Sequence, residues 1–164
     1  MKKIQDVLKE KILLLDGPKG TMIQNENLEE KDFRGEKFQS FDTSLKGNND
    51  ILNITKEHLI YDIHKKYLLA GADIIETNTF NSTKTSQLDY KCENISYDLN
   101  YIGGKIARKA VDDYLKKNPK EFKYVAGVLG PTNRTCSMSP DVNNPGFRNV
   151  SFDELKTDYE GSAE

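Results

Sequence analysis

Two carboxylates, an amide and a hydroxyl stand where this sequence could hold a polar ligand. Asp16 and Gly17 follow a short apolar run at residues 12–15. Glu76 and Asn78 lie near the end of a second run at residues 73–80, and Thr132 follows Gly130 and Pro131 at the end of a third, residues 124–129. Glu76 and Asn78 are two apart, so on an extended chain both face the same side. Parallel α/β sheets bind ligands at the carboxyl ends of their strands. A zwitterionic amino acid suits such a set: carboxylates for its ammonium, backbone N–H groups for its carboxylate. The plain alternative is that Asp16 caps a turn and Glu76 pairs with a lysine. Spacing alone leaves both readings open.

Other chemistries fit less well. The run Gly17-Pro18-Lys19-Gly20-Thr21 looks like part of a phosphate loop, but the full pattern needs its lysine directly after the last glycine. A strand-to-loop turn that exploits glycine freedom is the simpler expectation. His58 and His64 are six apart on one predicted helix, not at the i,i+4 spacing of paired metal ligands, and are expected to be surface or helix-packing residues. Cys92 and Cys136 form no C-x-x-C pair and are expected as free thiols. No Ser-His-Asp set is visible, so no catalytic residue and no metal ligand is assigned to the chain.

The elements that would position these residues alternate. The three apolar runs are short, rich in aliphatic residues, and bounded by Gly, Pro, Asn or Asp, as buried parallel strands are. Between them lie helical patterns. From Glu57 on, Leu59, Ile63 and Tyr67 repeat every four residues, with Ile60 beside them and Gly71 at the usual C-terminal position. Ile95, Leu99, Ile102, Ile106, Ala110 and Tyr114 make a second stripe, which Asn118-Pro119 ends. A short helix is expected over residues 83–90, and a last one begins at Ser151, where Ser151 and Glu154 form a capping box. Residues 24–53 read as a long connection packed through Phe33, Phe38 and Phe41. The order argues for right-handed βαβ units and an α/β fold with parallel strands. Three strands fall short of the eight in a barrel of about 250 residues, so the pattern fits either a small open sheet or part of a barrel.

Composition narrows the function classes. At 36% hydrophobic and 30% charged, with a net charge of −2, the 164-residue chain is polar but patterned, and its 24 Lys and Arg are scattered among 26 Asp and Glu. No basic face points to nucleic acid, and no apolar run reaches the roughly 18 residues of a membrane span. The start of the chain is lysine-rich, but its apolar run of four residues is shorter than the roughly 7–15 of a secretory signal. The expected location is therefore cytoplasmic, and the N-x-[ST] matches at Asn53, Asn81, Asn94, Asn133 and Asn149 are then accidental.

Longer runs resemble the homocysteine-binding domain of cobalamin-dependent methionine synthase. They are Leu13-Leu14-Leu15-Asp16-Gly17 with Gly20-Thr21-Met22-Ile23-Gln24, Asp32-Phe33-Arg34-Gly35, and Leu45-Lys46-Gly47-Asn48-Asn49-Asp50. Ala70-Gly71-Ala72-Asp73-Ile74-Ile75-Glu76-Thr77-Asn78-Thr79-Phe80 continues the likeness, followed by Val125-Ala126-Gly127-Val128-Leu129-Gly130-Pro131-Thr132-Asn133 and Ser139-Pro140-Asp141-Val142-Asn143. The resemblance covers about residues 10–160 in the right order. It implies a partial TIM (β/α)8 barrel, of which the chain holds the first three βα units with parallel strands. Residues 1–10 would be an N-terminal extension, and residues 11–164 the N-terminal part of an incomplete homocysteine-binding domain.

By the resemblance, the reaction is methyl transfer to homocysteine, giving methionine. Asp16 would take the substrate ammonium, N–H groups from Gly17 on its carboxylate, and Glu76, Asn78 and Thr132 would line the pocket. The complete family enzyme uses zinc, held by three late cysteines in G-L-N-C and G-G-C-C-G type motifs, together with cobalamin and methyltetrahydrofolate. None of these cofactors is expected in this chain, whose two cysteines do not match those motifs, so it is expected to be inactive alone. The family's D-G-[GA]-M-G-T reads Asp16-Gly17-Pro18-Lys19-Gly20-Thr21 here, and Pro18 has no N–H to give a carboxylate. The competing reading is a non-catalytic amino-acid-binding or assembly module. Three strands also leave open sheet edges, so self-association through them is expected.

Overall fold

The computed structural model describes residues 2–163. Its helices are α1 (Ile4–Val7), α2 (Lys19–Gln24), α3 (Glu30–Arg34), α4 (Leu52–Thr55), α5 (Glu57–Leu69), α6 (Lys84–Gln87), α7 (Ser96–Lys117) and α8 (Phe152–Ala163). Two strands, β1 (Ile74–Glu76) and β2 (Tyr124–Ala126), pair in parallel with Ile75 opposite Val125. On the other side of β1, Leu15 makes a parallel bridge to Ile74. The three predicted strands therefore stand side by side in chain order, joined by helices.

The strands are shorter than the apolar runs suggested, for reasons visible at their ends. Residues 12–15 contribute one bridge, and Asp16 donates its backbone N–H to the Ile74 carbonyl at 3.0 Å. Beyond Glu76, threonine side chains take over part of the pairing. The Thr77 hydroxyl accepts from the Val128 N–H at 2.9 Å, the Thr79 hydroxyl donates to the Val128 carbonyl at 2.8 Å, and the two hydroxyls meet at 2.7 Å. Residues 73–80 and 124–129 thus stay in register after regular strand geometry has ended.

One face of the sheet is covered by α5 and α7. Leu68, Ala72, Ile75, Ala107, Ala110 and Val111 form the core between sheet and helices. A second core joins α2 and α3 to α4, α5 and α7 through Ile23, Phe33, Leu52, Ile60, Leu99 and Ile106. Both predicted stripes are the buried faces. α5 ends as its sequence suggests: Gly71 has φ of +104°, Ala72 N–H reaches the Tyr67 carbonyl and Gly71 N–H the Leu68 carbonyl, the paired bonds of a Schellman end. The Ser151 capping box forms in both directions, with Ser151 N–H donating to the Glu154 carboxylate at 2.7 Å and Glu154 N–H to the Ser151 hydroxyl at 3.2 Å. Asp158 of α8 accepts the backbone N–H groups of Lys84 and Thr85, which docks α8 on the start of α6.

Two expectations need correction. Residues 17–21 are not a glycine turn: α2 starts at Lys19, Pro18 precedes it at φ of −66°, and Gly20 lies within the helix. The segment 24–53 is not a plain connection either, since it contains α3, a 3-10 turn at Asn49–Ile51 and the first residues of α4. It is packed by a polar staple as well as by Phe33. Glu30 accepts from the backbone of Leu45 and Lys46, and Arg34 pairs with Glu30 at 2.7 Å while donating to carbonyls of Phe38, Phe41 and Thr43. Residues 2–10 pack on the domain: Val7 is buried and Tyr124 donates to the Lys2 carbonyl at 2.9 Å.

Candidate functional site

A cavity of about 410 Å³ opens at the carboxyl ends of the three strands. Gly17, Pro18, Lys19 and Gly20 form one wall, Glu76, Thr77 and Asn78 a second, and Asn49 and Asp50 a third. Three of the residues singled out in the sequence, Gly17, Glu76 and Asn78, thus line one hollow, while Asp16 lies beneath it. Gly17 is required by close approach, since a Cβ there would meet the Tyr67 ring at 3.1 Å.

Asp16 is the most enclosed of the set, its side chain having no solvent exposure. Oδ2 accepts from Lys19 Nζ at 2.8 Å and from the Glu76 backbone N–H at 3.2 Å. Oδ1 is buried with no partner among the described residues. Lys19 Nζ also lies 3.9 Å from Glu76 Oε2, so one ammonium sits between two carboxylates. Asn78 serves structure first. Its Nδ2 donates to the Asn49 carbonyl at 2.9 Å and to Asn53 Oδ1 at 3.1 Å, and its carbonyl accepts from Asn53 Nδ2 at 2.8 Å. Thr132 does not line the cavity, and its hydroxyl donates to the Arg134 carbonyl instead.

The sequence reading left out three participants. Asp50, 3% exposed, accepts from the Asn81 N–H at 2.9 Å and the Ser82 hydroxyl at 2.8 Å. Burial pushes its carboxyl up to about 6, against the pull of those two hydrogen bonds. Lys19 stands in the sequence only as the lysine of an incomplete phosphate loop and as a departure from D-G-[GA]-M-G-T, although an Asp and a Lys three apart are close enough along the chain to pair, as they do here at 2.8 Å. His64, fully buried on α5, has no hydrogen-bond partner on either ring nitrogen among the described residues. Burial first, and the Lys19 charge second, push it down to about 3.

The profile of the family described as "Homocysteine S-methyltransferase" matches residues 13–164. The chain belongs to that family. It is similar to the crystal structure of the homocysteine methyltransferase MmuM from Escherichia coli in its metallated form, with a TM-score of 0.70 and 21% identity over 98% of this chain and 51% of that one. Against the oxidized form of the same enzyme the TM-score is 0.60, with 25% identity over 78% of this chain and 40% of that one. The chain thus spans about half, or less, of the length of the structures it matches.

The donors present do not fit the three-cysteine zinc site that the resemblance implies. Cys92 is buried in the core, where burial and the Glu93 charge push its thiol up to about 11. Cys136 is half-buried in the segment before α8. Among the described residues no group of three His, Cys, Asp or Glu is placed to hold a metal ion.

Proposed function

We propose that this chain forms the first three βα units of a (β/α)8 barrel and carries the amino-acid end of a homocysteine pocket. The observation that carries the reading is the cavity at the strand ends, walled by Gly17, Lys19, Glu76 and Asn78 with Asp16 below it. The carboxylates offer charge to an ammonium, and family membership supplies the substrate class. The reaction of the complete domain would be transfer of a methyl group to the homocysteine sulfur, giving methionine, as in methionine synthase. Titration of the isotope-labelled chain with L-homocysteine, followed by amide chemical shifts, tests the site. Shifts confined to residues around Gly17, Glu76 and Asn78 are expected. Shifts with ATP and none with homocysteine would overturn the reading.

In this reading the 164-residue chain supplies the amino-acid end of the pocket and no thiolate activation. The expected result is less than one tightly held zinc per chain by elemental analysis, and no methionine formed from homocysteine by the chain alone. One tightly bound zinc per chain would refute this. Self-association belongs to the same proposal. Ile12, Leu14 and Leu15 are more than half exposed beside the Leu15 edge of the sheet, and an apolar unpaired edge invites strand pairing. Light scattering is expected to give a mass above that of the 18.7 kDa monomer, whereas a monomeric mass at high concentration would count against it.

A further inference from the structure

The charge placed over Asp16 belongs to the chain itself. Lys19 Nζ, on the first residue of α2, lies 2.8 Å from Asp16 Oδ2 and 3.9 Å from Glu76 Oε2. The Lys19 side chain is 11% exposed and that of Asp16 is 0% exposed. Lys19 lines the cavity and Asp16 does not, so the ammonium lies between the carboxylate and the hollow. We propose that Lys19 is a built-in occupant of the ammonium position of this pocket and removes the advantage that an α-ammonium group would give a ligand. The inference rests on the amino-acid reading above and adds a residue that sets ligand preference.

Electrostatics and tethering argue the same way. A buried carboxylate needs a counter-charge, because an unpaired ion in a poorly hydrated site is costly. Asp16 has one oxygen without a partner among the described residues, so the Lys19 contact is its main compensation. A ligand ammonium can reach Oδ2 only by displacing Nζ, which exchanges one cation for another and yields little net attraction. The resident cation is also attached three residues away, which gives it an effective concentration on the order of millimolar or higher. Glu76 remains for a ligand, but its side chain is 38% exposed, and exposed charges are screened by water and salt. Lysine has a flexible four-carbon stem, so the blockade is a competition and not a wall.

The experiment compares L-homocysteine with 4-sulfanylbutanoate, the same molecule without its amino group, by amide-shift titration of the full chain. Wild type is expected to bind the two within about threefold of each other. Lys19→Met keeps the length of the stem and removes the charge. It is expected to bind homocysteine about tenfold or more tighter than wild type, in line with a charged hydrogen bond regained, and to bind the anionic 4-sulfanylbutanoate no more tightly than wild type does. Lys19→Arg keeps a cation and should behave as wild type. Equal homocysteine affinity in wild type and Lys19→Met, with binding measurable in both, overturns the role of Lys19 and leaves the pocket standing. Binding of neither ligand by any of the proteins overturns the pocket, and the inference with it. The wild-type comparison needs no variant and decides alone should Lys19→Met unfold. A wild-type preference of about tenfold or more for homocysteine refutes the proposal, and its absence supports it.

Discussion

Replacing Asn53 by leucine is expected to destabilise the protein by about 3–5 kcal/mol and to loosen the wall of the site that holds Asn78. Asn53 has no solvent exposure. Its Nδ2 donates to the Asn78 carbonyl at 2.8 Å and to the Leu99 carbonyl at 3.1 Å, while its Oδ1 accepts from Asn78 Nδ2 at 3.1 Å. One amide therefore ties α4 to the end of β1 and to α7. Leucine has a similar size but no polar atom. It would leave the Asn78 carbonyl and one Asn78 Nδ2 N–H unpaired away from water, at about 1–3 kcal/mol for each, and take from the Leu99 carbonyl the bond it makes beyond its own helix. The packing gives little room to adjust, because a Cβ built on Gly103 would already come within 2.8 Å of Asn53 Nδ2 and 2.7 Å of Thr79 Cγ2. Urea unfolding measures the loss. Asn53→Asp separates hydrogen bonding from shape: aspartate keeps the outline but cannot donate, and should cost as much or more. A loss below about 1 kcal/mol for Asn53→Leu would mean that these bonds do not hold the site.

The same asparagine shows what the sequence could and could not disclose. The two paired strands and the two long helices were legible, because a short aliphatic run bounded by Gly, Pro, Asn or Asp marks a buried strand and apolar periodicity of 3.6 residues a buried helix face, whereas residues 12–15 contribute a single bridge. The ends of the strands were not. Thr77 and Thr79 pair through side chains, and an alternating run looks the same whether backbone or hydroxyl makes the bond. α3 was hidden for another reason. A helix of one turn has no periodicity, and this one is held by the Glu29–Asp32 capping box and by the bonds of Glu30 and Arg34 to distant backbone. Asp16, Glu76 and Asn78 could be set at one edge of the sheet because strand ends can be read from the sequence, and the structure puts Glu76 and Asn78 in the cavity wall with Asp16 outside its lining. Thr132 also follows a strand end, but the direction taken by the chain after Gly130 is set by contacts that spacing does not encode. Gly130 packs so closely on Phe80 that a Cβ would lie 2.2 Å from the Phe80 carbonyl oxygen. Asn49 and Asp50 reach the cavity from α4's side of the fold, a tertiary juxtaposition with no local signature.

Asp50 and His64 are expected to mask each other in the pH dependence of stability, and removing either should expose the other. Each has its ordinary pKa in the unfolded chain, about 3.8 for Asp50 and 6.5 for His64. Folding pushes Asp50 up to about 6 and His64 down to about 3. The raised carboxyl keeps its proton in the folded state while the unfolded chain has lost it, so its contribution is present below pH 3.8 and is lost as pH rises through 6. The depressed imidazole works in the opposite sense. The unfolded chain takes up a proton below pH 6.5 and the folded one refuses it, so stability is lost as pH falls toward 3. Between about pH 6 and 4 the folded state holds one proton, on Asp50, and the unfolded state holds one, on His64. Stability depends on the difference in bound protons, which is zero for this pair in that window.

Breaking the pair should therefore tilt the profile by about 1.4 kcal/mol per pH unit, the value of one unmatched proton. Asp50→Asn leaves His64 alone, and stability should fall by about 3 kcal/mol more than in wild type from pH 6 to 4. His64→Leu leaves Asp50 alone, and over the same range stability should rise by a similar amount relative to wild type. At pH 7 His64→Leu should also stabilise the protein, since it removes a buried ring with both nitrogens unpartnered among the described residues, each such group costing about 1–3 kcal/mol. The acidic groups with lowered pKa do not imitate this pattern. Glu30 is brought to about 2 by the Leu45 and Lys46 N–H groups, the Ser44 hydroxyl and Arg34, which outweigh the upward push of burial, and it is common to all three proteins. Urea unfolding of wild type and both variants at pH 7, 6, 5 and 4 gives the three profiles. Parallel profiles would show that neither buried group titrates as its surroundings require. Divergence in opposite directions would establish that a wall of the site changes protonation at Asp50 near pH 6, in the same cavity that Lys19 lines.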